Sequence, residues 1–145
     1  MSANRSLTRT AIHEDEAAVL AVDAIAGAGD QERTRFLRDA IEAGECIVYD
    51  CDGRVLGFAV MKRRHFFGRD FIDLLFVASD ARRQGIGRSL MRASLAASTT
   101  PRVFTSTNTS NSPMQALLHS EGWWPSGELI GLDEDDPELV YYRSR

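Results

Sequence analysis

Lysine is almost missing from this sequence. Lys62 is the only one, and the other basic residues are arginine. That excludes a Walker-type phosphate loop, which needs a lysine after its glycines, and leaves Lys62 alone for Schiff-base chemistry. Cysteine is nearly as scarce. Cys46 and Cys51 fall in one apparent strand at an odd separation, so they point to opposite faces and do not pair; two reduced thiols are expected. No stretch approaches the ~18 apolar residues of a membrane-spanning helix. Met1 to Arg9 has no apolar h-region, so no secretory signal is expected and the cytoplasm is the default. The net charge of −4 lacks the basic excess of a general nucleic-acid binder. His13, His65 and His119 are scattered without ligand spacing, so no metal site is expected. What remains is ordinary: 145 residues, 43% hydrophobic and 26% charged. This suits one domain over residues 1–145 with a core that needs no covalent staple.

The hydrophobic pattern predicts a mixed order of elements. Leu7 to Ile12 reads as a short strand. Glu14, Asp15 and Glu16 then open a helix, where carboxylates suit the positive end of the dipole. Its apolar stripe is Ala17, Leu20, Ala21, Ala24 and Ile25, and the Gly27–Gly29 region breaks it. Asp30 is placed to cap a second helix with Phe36, Leu37, Ala40 and Ile41 inward, ending at Gly44. Cys46 to Cys51 and Arg54 to Lys62 form a hairpin on Asp52-Gly53, a pair suited to a tight type I′ turn. Arg63 to Asp70 reads as a loop. Phe71 to Ala78 is almost wholly apolar, as expected of a central strand covered on both faces, but Asp73 interrupts it. A helix follows from Gly85 or Ile86 to Ala97, then a strand from Arg102 to Thr107. Ser112-Pro113-Met114-Gln115 carries the signature of a capped helix start, with the helix stopping at Gly122. Glu128 to Leu132 and Glu138 to Arg143 read as a last hairpin. The fold class is α/β (α+β): a mixed, mostly antiparallel twisted sheet flanked by helices.

The chemically informative stretch runs from Phe71 to Arg88. A buried strand enters a short polar turn and then a helix that opens on Gly85 and Gly87. Unsatisfied N–H groups and the helix dipole make that opening an anion site, with Arg82, Arg83 and Arg88 around it. A dinucleotide fingerprint fails, because Leu90 stands where its third glycine is required and the motif does not lie in a first βαβ unit. The reading that fits is the pyrophosphate of coenzyme A, through Arg82-x-x-Gly85-x-Gly87. A glycine-rich helix start with solvated arginines is the plainer alternative.

With its surroundings, this stretch resembles the GNAT superfamily of N-acetyltransferases over nearly the whole chain. The strand ending Leu75-Phe76-Val77 is followed by the Arg82–Gly87 loop and its helix. The next unit also matches: strand Val103 to Thr107, then Asn111, then a short helix ending at Gly122-Trp123, with the asparagine eleven residues before the glycine–aromatic pair. The resemblance implies a GNAT-like fold and transfer of an acetyl group from acetyl-CoA to an amine on a small molecule, a peptide N-terminus or a lysine. It implies that Leu75, Phe76 and Val77 pair their backbone with the pantetheine arm. Arg83, Gln84, Gly85, Ile86, Gly87 and Arg88 would cradle the pyrophosphate together with Arg82. Asn111 would reach the pantetheine or help place the thioester.

The family often has a tyrosine seven residues after that asparagine, where it protonates the leaving thiolate. Here the residue is Leu118, which with Met114 and Leu117 makes one apolar face. Water, Ser110 or Ser112 is left to supply that proton. Asp73 is the candidate base, its pKa raised by burial; pairing with Arg69 is the structural alternative. A non-catalytic acyl-CoA sensor on the same fold is the rival function. One ring of Trp123-Trp124 is expected inside and the other at the surface of a homodimer. Phe66-Phe67 either walls the acceptor pocket or packs in the core. Asp133 to Asp136 reads as an acidic turn.

Overall fold

The computed structural model describes residues 5–145; Met1 to Asn4, part of the segment inspected for a leader, lie outside the described residues. Seven strands form one sheet, β1 (Ser6–Thr10), β2 (Cys46–Cys51), β3 (Arg54–Phe66), β4 (Arg69–Val77), β5 (Arg102–Asn108), β6 (Trp124–Leu129) and β7 (Glu138–Ser144), in the order β1-β2-β3-β4-β5-β7-β6. All neighbours are antiparallel except β4 and β5. The helices α1 (Glu16–Val22), α2 (Ala24–Gly27) and α3 (Gln31–Glu42) belong to one face, and α4 (Ile86–Ala96) and α5 (Ser112–Ser120) to the other. On the first face Val19, Leu37 and Ala40 meet Val48, Phe58 and Val60. On the second, Met91, Leu95, Leu118 and Trp123 meet Met61, Ile72, Val103 and Tyr141. Among the described residues no helix is long and apolar enough to cross a membrane.

Several local expectations change. The first helix ends at Val22, before the glycines, because Asp23 caps a new turn, α2. Its expected stripe is also rotated: Ala17, Ala21, Ala24 and Ile25 are exposed and Leu20 half-buried, while Val19 and Ala26 are buried. Alanines carry little directional information, and one valine outweighs them. The stretch from Arg63 to Asp70 is not a loop. β3 continues to Phe66 and turns at Phe67 and Gly68, both at positive φ. Its polar residues are exposed, which hid the strand. Asp70, fully buried, holds the bend by accepting from the N–H groups of Arg64 (2.9 Å) and Thr99 (2.6 Å). Burial pushes its carboxyl up, but these donors outweigh it and the net pKa is low. The last hairpin starts early, at Trp124, because β6 is an edge strand exposed throughout and shows no alternation. Leu129 ends it, and Ile130 and Leu132 lie exposed in the following loop.

Gly57 in β3 sets how closely α4 approaches the sheet. A Cβ there would meet Phe76 O at 2.9 Å, Ile86 Cγ2 at 3.1 Å and Leu90 Cδ1 at 3.2 Å. The first is backbone of β4 and cannot swing aside. Gly57→Val should therefore lower stability by about 1–3 kcal/mol, the usual cost of overpacking. It should appear as a lower urea midpoint with an unchanged slope.

Candidate active site

The site begins where a strand pair comes apart. β4 and β5 are paired only through Asp70–Val103, Phe71–Phe104 and Ile72–Thr105. Thr105 closes the paired section by donating its hydroxyl to Ile72 O at 2.9 Å. Beyond that point β4 stays on β3, through Val60–Leu74 to Gly57–Val77, while β5 stays on β7, through Ser106–Val140 to Asn108–Glu138. A wedge opens between them. It explains why Asp73 to Val77 are only half-buried although β4 is the middle strand.

The backbone direction inside the wedge follows from one hydrogen bond. Ala78 N donates to Leu56 O at 2.8 Å. Alternation then turns Phe76 and Leu74 toward β3 and leaves the N–H and C=O of Leu75 and Val77 facing the open side. These are the backbone groups that a linear, amide-bearing ligand can pair with as an added strand.

Asp73 sits at the fork. The register shifts there, with Val60 opposite Leu74 but Met61 opposite Ile72, so Asp73 is the extra residue of a β-bulge. The bulge shows in packing too: Ile72 joins the α4–α5 face and Leu74 the α1–α3 face, although they are two residues apart. The Asp73 carboxyl enters no ion pair or hydrogen bond among the described residues, and Arg69 instead donates to Phe67 O at 2.9 Å. Burial raises its pKa; His65 and Lys62 act against that, and Glu45 adds to it. Lys62 bonds Glu45 at 3.0 Å and lies over the Phe36 ring of α3, so this charged pair lies on the α3 side of the sheet.

At its open end β4 leads through Ser79–Ala81 into α4. Gly85 takes φ +79 at the N-cap, no side chain caps the helix, and a Cβ on Gly85 would meet nothing within 4 Å. Arg82, Arg83, Gln84 and Arg88 are exposed and Ile86 is buried. Arg82 and Arg83 join none of the ion pairs among the described residues, whereas Arg88 lies 3.5 Å from Glu121. A Cβ on Gly87 would lie 3.4 Å from Leu117 and 3.6 Å from Leu75. The bare helix start thus lies against β4, one wall of the wedge, and against α5, the helix that follows β5.

Asn111 has a structural task. Its Oδ1 accepts from Met114 N at 3.2 Å, so Asn111, not Ser112, caps α5, with proline at the start of the helix. Gln115 does not close a capping box; its amide donates to the carbonyls of Asn108 (3.2 Å) and Thr109 (2.6 Å). Ser110 Oγ donates to Asp136, and Asn108 to Asp133. The acidic turn is therefore tied to the strand end beside the wedge. Trp123 is buried and Trp124 is 67% exposed; Phe66 packs on Phe71 and Phe104, while Phe67 is 85% exposed. Sequence reasoning missed Gly57, whose signal was a glycine inside a strand. It also missed the bulge, whose signal was the aspartate that broke the apolar run.

The sequence pattern of the Acetyltransferase (GNAT) family matches residues 12–123. The chain belongs to the GNAT acetyltransferase family. A GNAT acetyltransferase from Bacillus cereus ATCC 10987 is similar at 30% identity and TM-score 0.90, over 97% of this chain and 98% of that one. A ribosomal-protein-alanine N-acetyltransferase from Brucella melitensis shares the fold at 22% identity and TM-score 0.77, over 96% and 99%. So does yncA from Salmonella typhimurium, solved with acetyl-CoA, at 15% identity and TM-score 0.75, over 96% and 93%. No functionally curated relative matches. The GNAT resemblance, the mixed sheet flanked by helices and the acetyltransferase activity read from the sequence are borne out; this GNAT protein transfers acetyl groups from acetyl-CoA to an amine.

Leu118, at the position where the family often has tyrosine, is fully buried among Ile72, Met91 and Trp123. Leu118→Ala should cost about 2–5 kcal/mol of stability and leave turnover per folded molecule within a small factor. Chemical denaturation and steady-state rates on the same preparation check both halves.

Proposed function

We propose that residues 1–145 act as one domain that binds acetyl-CoA along the open edge of β4. The amine would reach the thioester from the α1–α3 side. The observation that carries this is the free edge of Leu75 and Val77 running directly into the glycine-opened start of α4. Within Leu75–Val77 the free backbone groups of Leu75 and Val77 take the pantetheine arm, with Phe76 between them held to β3; Arg82, Arg83, Gln84, Gly85, Ile86, Gly87 and Arg88 take the pyrophosphate. The Val77 N–H polarises the thioester carbonyl, and Asn111 helps to place the thioester. The amine nitrogen attacks the carbonyl carbon, an amide forms and the C–S bond breaks. Asp73 accepts the amine's proton, directly or through water. The thiolate is protonated by water, Ser110 or Ser112. Much of the rate comes from holding the two reactants together.

The acceptor is an amine on a small molecule, a peptide N-terminus or a lysine. The free, separate thiols Cys46 and Cys51 suit a reducing compartment, hence the cytoplasm. Exposed Trp124 on edge strand β6 suits contact with a second copy. A thiol-release screen with acetyl-CoA against amines, peptides and polyamines tests this: release with one class identifies the acceptor, and no release with any of them would overturn the acceptor reading.

Two variants test the residues. Gly85→Glu places a carboxylate where a phosphate is to sit. Gly85→Gln has the same bulk and the same strain at positive φ without the charge. Acetyl-CoA should raise the melting temperature of the wild type by mass action, raise that of Gly85→Gln less, and leave Gly85→Glu nearly unmoved. Equal shifts in all three would sink the phosphate assignment.

Asp73→Asn keeps shape but cannot accept a proton. It should bind acetyl-CoA normally and lose about 10²–10⁴-fold in kcat/KM near neutral pH. In the wild type the base works only when ionised, so kcat/KM should fall as pH drops through its raised pKa. The deficit of the variant should shrink toward pH ~9–10, where an alkylamine of pKa about 10 supplies its own free base. A pH–rate profile of both proteins reads this. A less stable but fully active variant at pH 7 would remove Asp73 from the mechanism.

A further inference from the structure

The sheet face that looks toward α1–α3 is only half covered. Among the described residues, none from β5, β6 or β7 joins the core under those helices. An open sheet face normally carries polar residues, but this one does not. Met61, Ile72, Val103 and Tyr141 pack on the α4–α5 side, so their neighbours Lys62, Phe71, Phe104 and Tyr142 point the other way. Lys62 lies over Phe36 of α3, which fixes the face. The register sets these residues on one line across the sheet: Lys62 opposite Phe71, Phe71 opposite Phe104, Phe104 opposite Tyr142, and Tyr142 opposite Trp124 at the sheet edge. Four adjacent strands thus each present an aromatic ring on this face. Phe71, Phe104 and Tyr142 are half-buried and Trp124 is exposed. An apolar surface of this kind, left open, marks a place where something binds.

The row has a charge at each end of its working length. Arg102 is exposed, and its guanidinium carbon stands 5.0 Å from the centre of the Tyr142 ring. Its guanidinium enters no ion pair or hydrogen bond among the described residues. A guanidinium laid on a ring keeps its edge N–H groups free and already oriented for a carboxylate. Asp73 lies two residues beyond Phe71 on β4, and Lys62, opposite Phe71, is among the charges that act on its carboxyl. Tyr142 is two strands away from β4. At ~4.8 Å per strand and ~3.3 Å per residue, Asp73 and the Arg102 guanidinium stand about 12 Å apart along the sheet. Between them lies Phe104, 5.9 Å from Tyr142, while Phe66 closes the hairpin end by packing on Phe71 and Phe104.

We propose that this floor selects the acceptor: a small amine on a flat apolar body that ends in a carboxylate, with its nitrogen at Asp73, its body on Phe104 and its carboxylate on Arg102. This rests on the amine reaching the thioester from the α1–α3 side. The carboxylate is held far from the reacting bond, so its binding is equal before and during acyl transfer. Its contribution therefore falls in KM and leaves kcat nearly unchanged.

Steady-state acetylation of para-(aminomethyl)benzoate and para-(aminoethyl)benzoate, each against its matching amine without the carboxylate (benzylamine and phenethylamine), tests it. The wild type should favour at least one carboxylate over its matching amine by about tenfold or more in kcat/KM, an ordinary worth for a hydrogen bond to a charged group. The gain should lie in KM. Arg102→Gln should lose the preference and keep its rates with benzylamine and phenethylamine, which also shows that it folds. Arg102→Lys keeps the charge without the fixed plane and should retain only part of the preference. Equal kcat/KM for carboxylate and matching amine in the wild type would overturn the selection alone. So would a preference that survives in Arg102→Gln, or acetylation confined to other kinds of amine. Acetyl-CoA binding with no acetylation of any amine would overturn the acceptor reading, and the selection with it.

Discussion

Everything at this site depends on where one pair of parallel strands stops pairing. A sheet normally spends its backbone hydrogen bonds internally, and an interior strand has none to offer. Here β4 keeps its partner on one side and loses the other after Ile72–Thr105. The sheet survives the loss because β5 is held by β7 along its whole length and β4 by β3. Each strand at the fork therefore has one firm neighbour, and the gap can stay open as a feature of the fold. The donors and acceptors of Leu75 and Val77 are then free, deep in the middle of the sheet, where polar groups without partners are costly. A ligand with its own amide groups is the natural way to satisfy them.

The bulge at Asp73 belongs to the same constraint. Adding one residue to β4 opposite Val60 and Met61 increases local twist, and it does so one residue past the last β4–β5 pair. The strand bends away from β5 at the point where a carboxyl is presented. The geometry that opens the wedge and the geometry that positions the candidate base are thus a single backbone irregularity. Gly57 lets α4 close over the other face despite that bend, which keeps the bare helix start near the strand edge.

Much of this was legible in the sequence because the informative residues are of types with few alternatives. Gly85 and Gly87 after an apolar strand, the Asp52-Gly53 turn, and the asparagine spaced ahead of Gly122-Trp123 each restrict the backbone strongly. The misreadings fall where side chains carry no contrast. A helix of alanines, Ala17 to Ala24, does not say which face is inward. β6, exposed at every position, has no alternation to detect, and Arg63 to His65 look like loop because they stay in water while extended. Contacts between distant residues were beyond reach for a different reason. Nothing in the local sequence says that Asp23 meets Arg33, or that Asp70 gathers donors from Arg64 and Thr99; only the topology brings them together.

The scarcity of lysine takes on another meaning beside the chemistry. An enzyme that holds an activated acetyl thioester and removes protons from amines is a hazard to its own surface, since a lysine side chain is the kind of nucleophile it serves. Lys62, the single lysine of the chain, sits close to Asp73 in the same quarter of the molecule, yet its amine is bound to Glu45 at 3.0 Å and laid over Phe36. Arginine supplies the rest of the positive charge and does not act as an acyl acceptor under such conditions. Arg82, Arg83 and Arg88 thus supply exposed positive charge without adding an amine that acetyl transfer could consume.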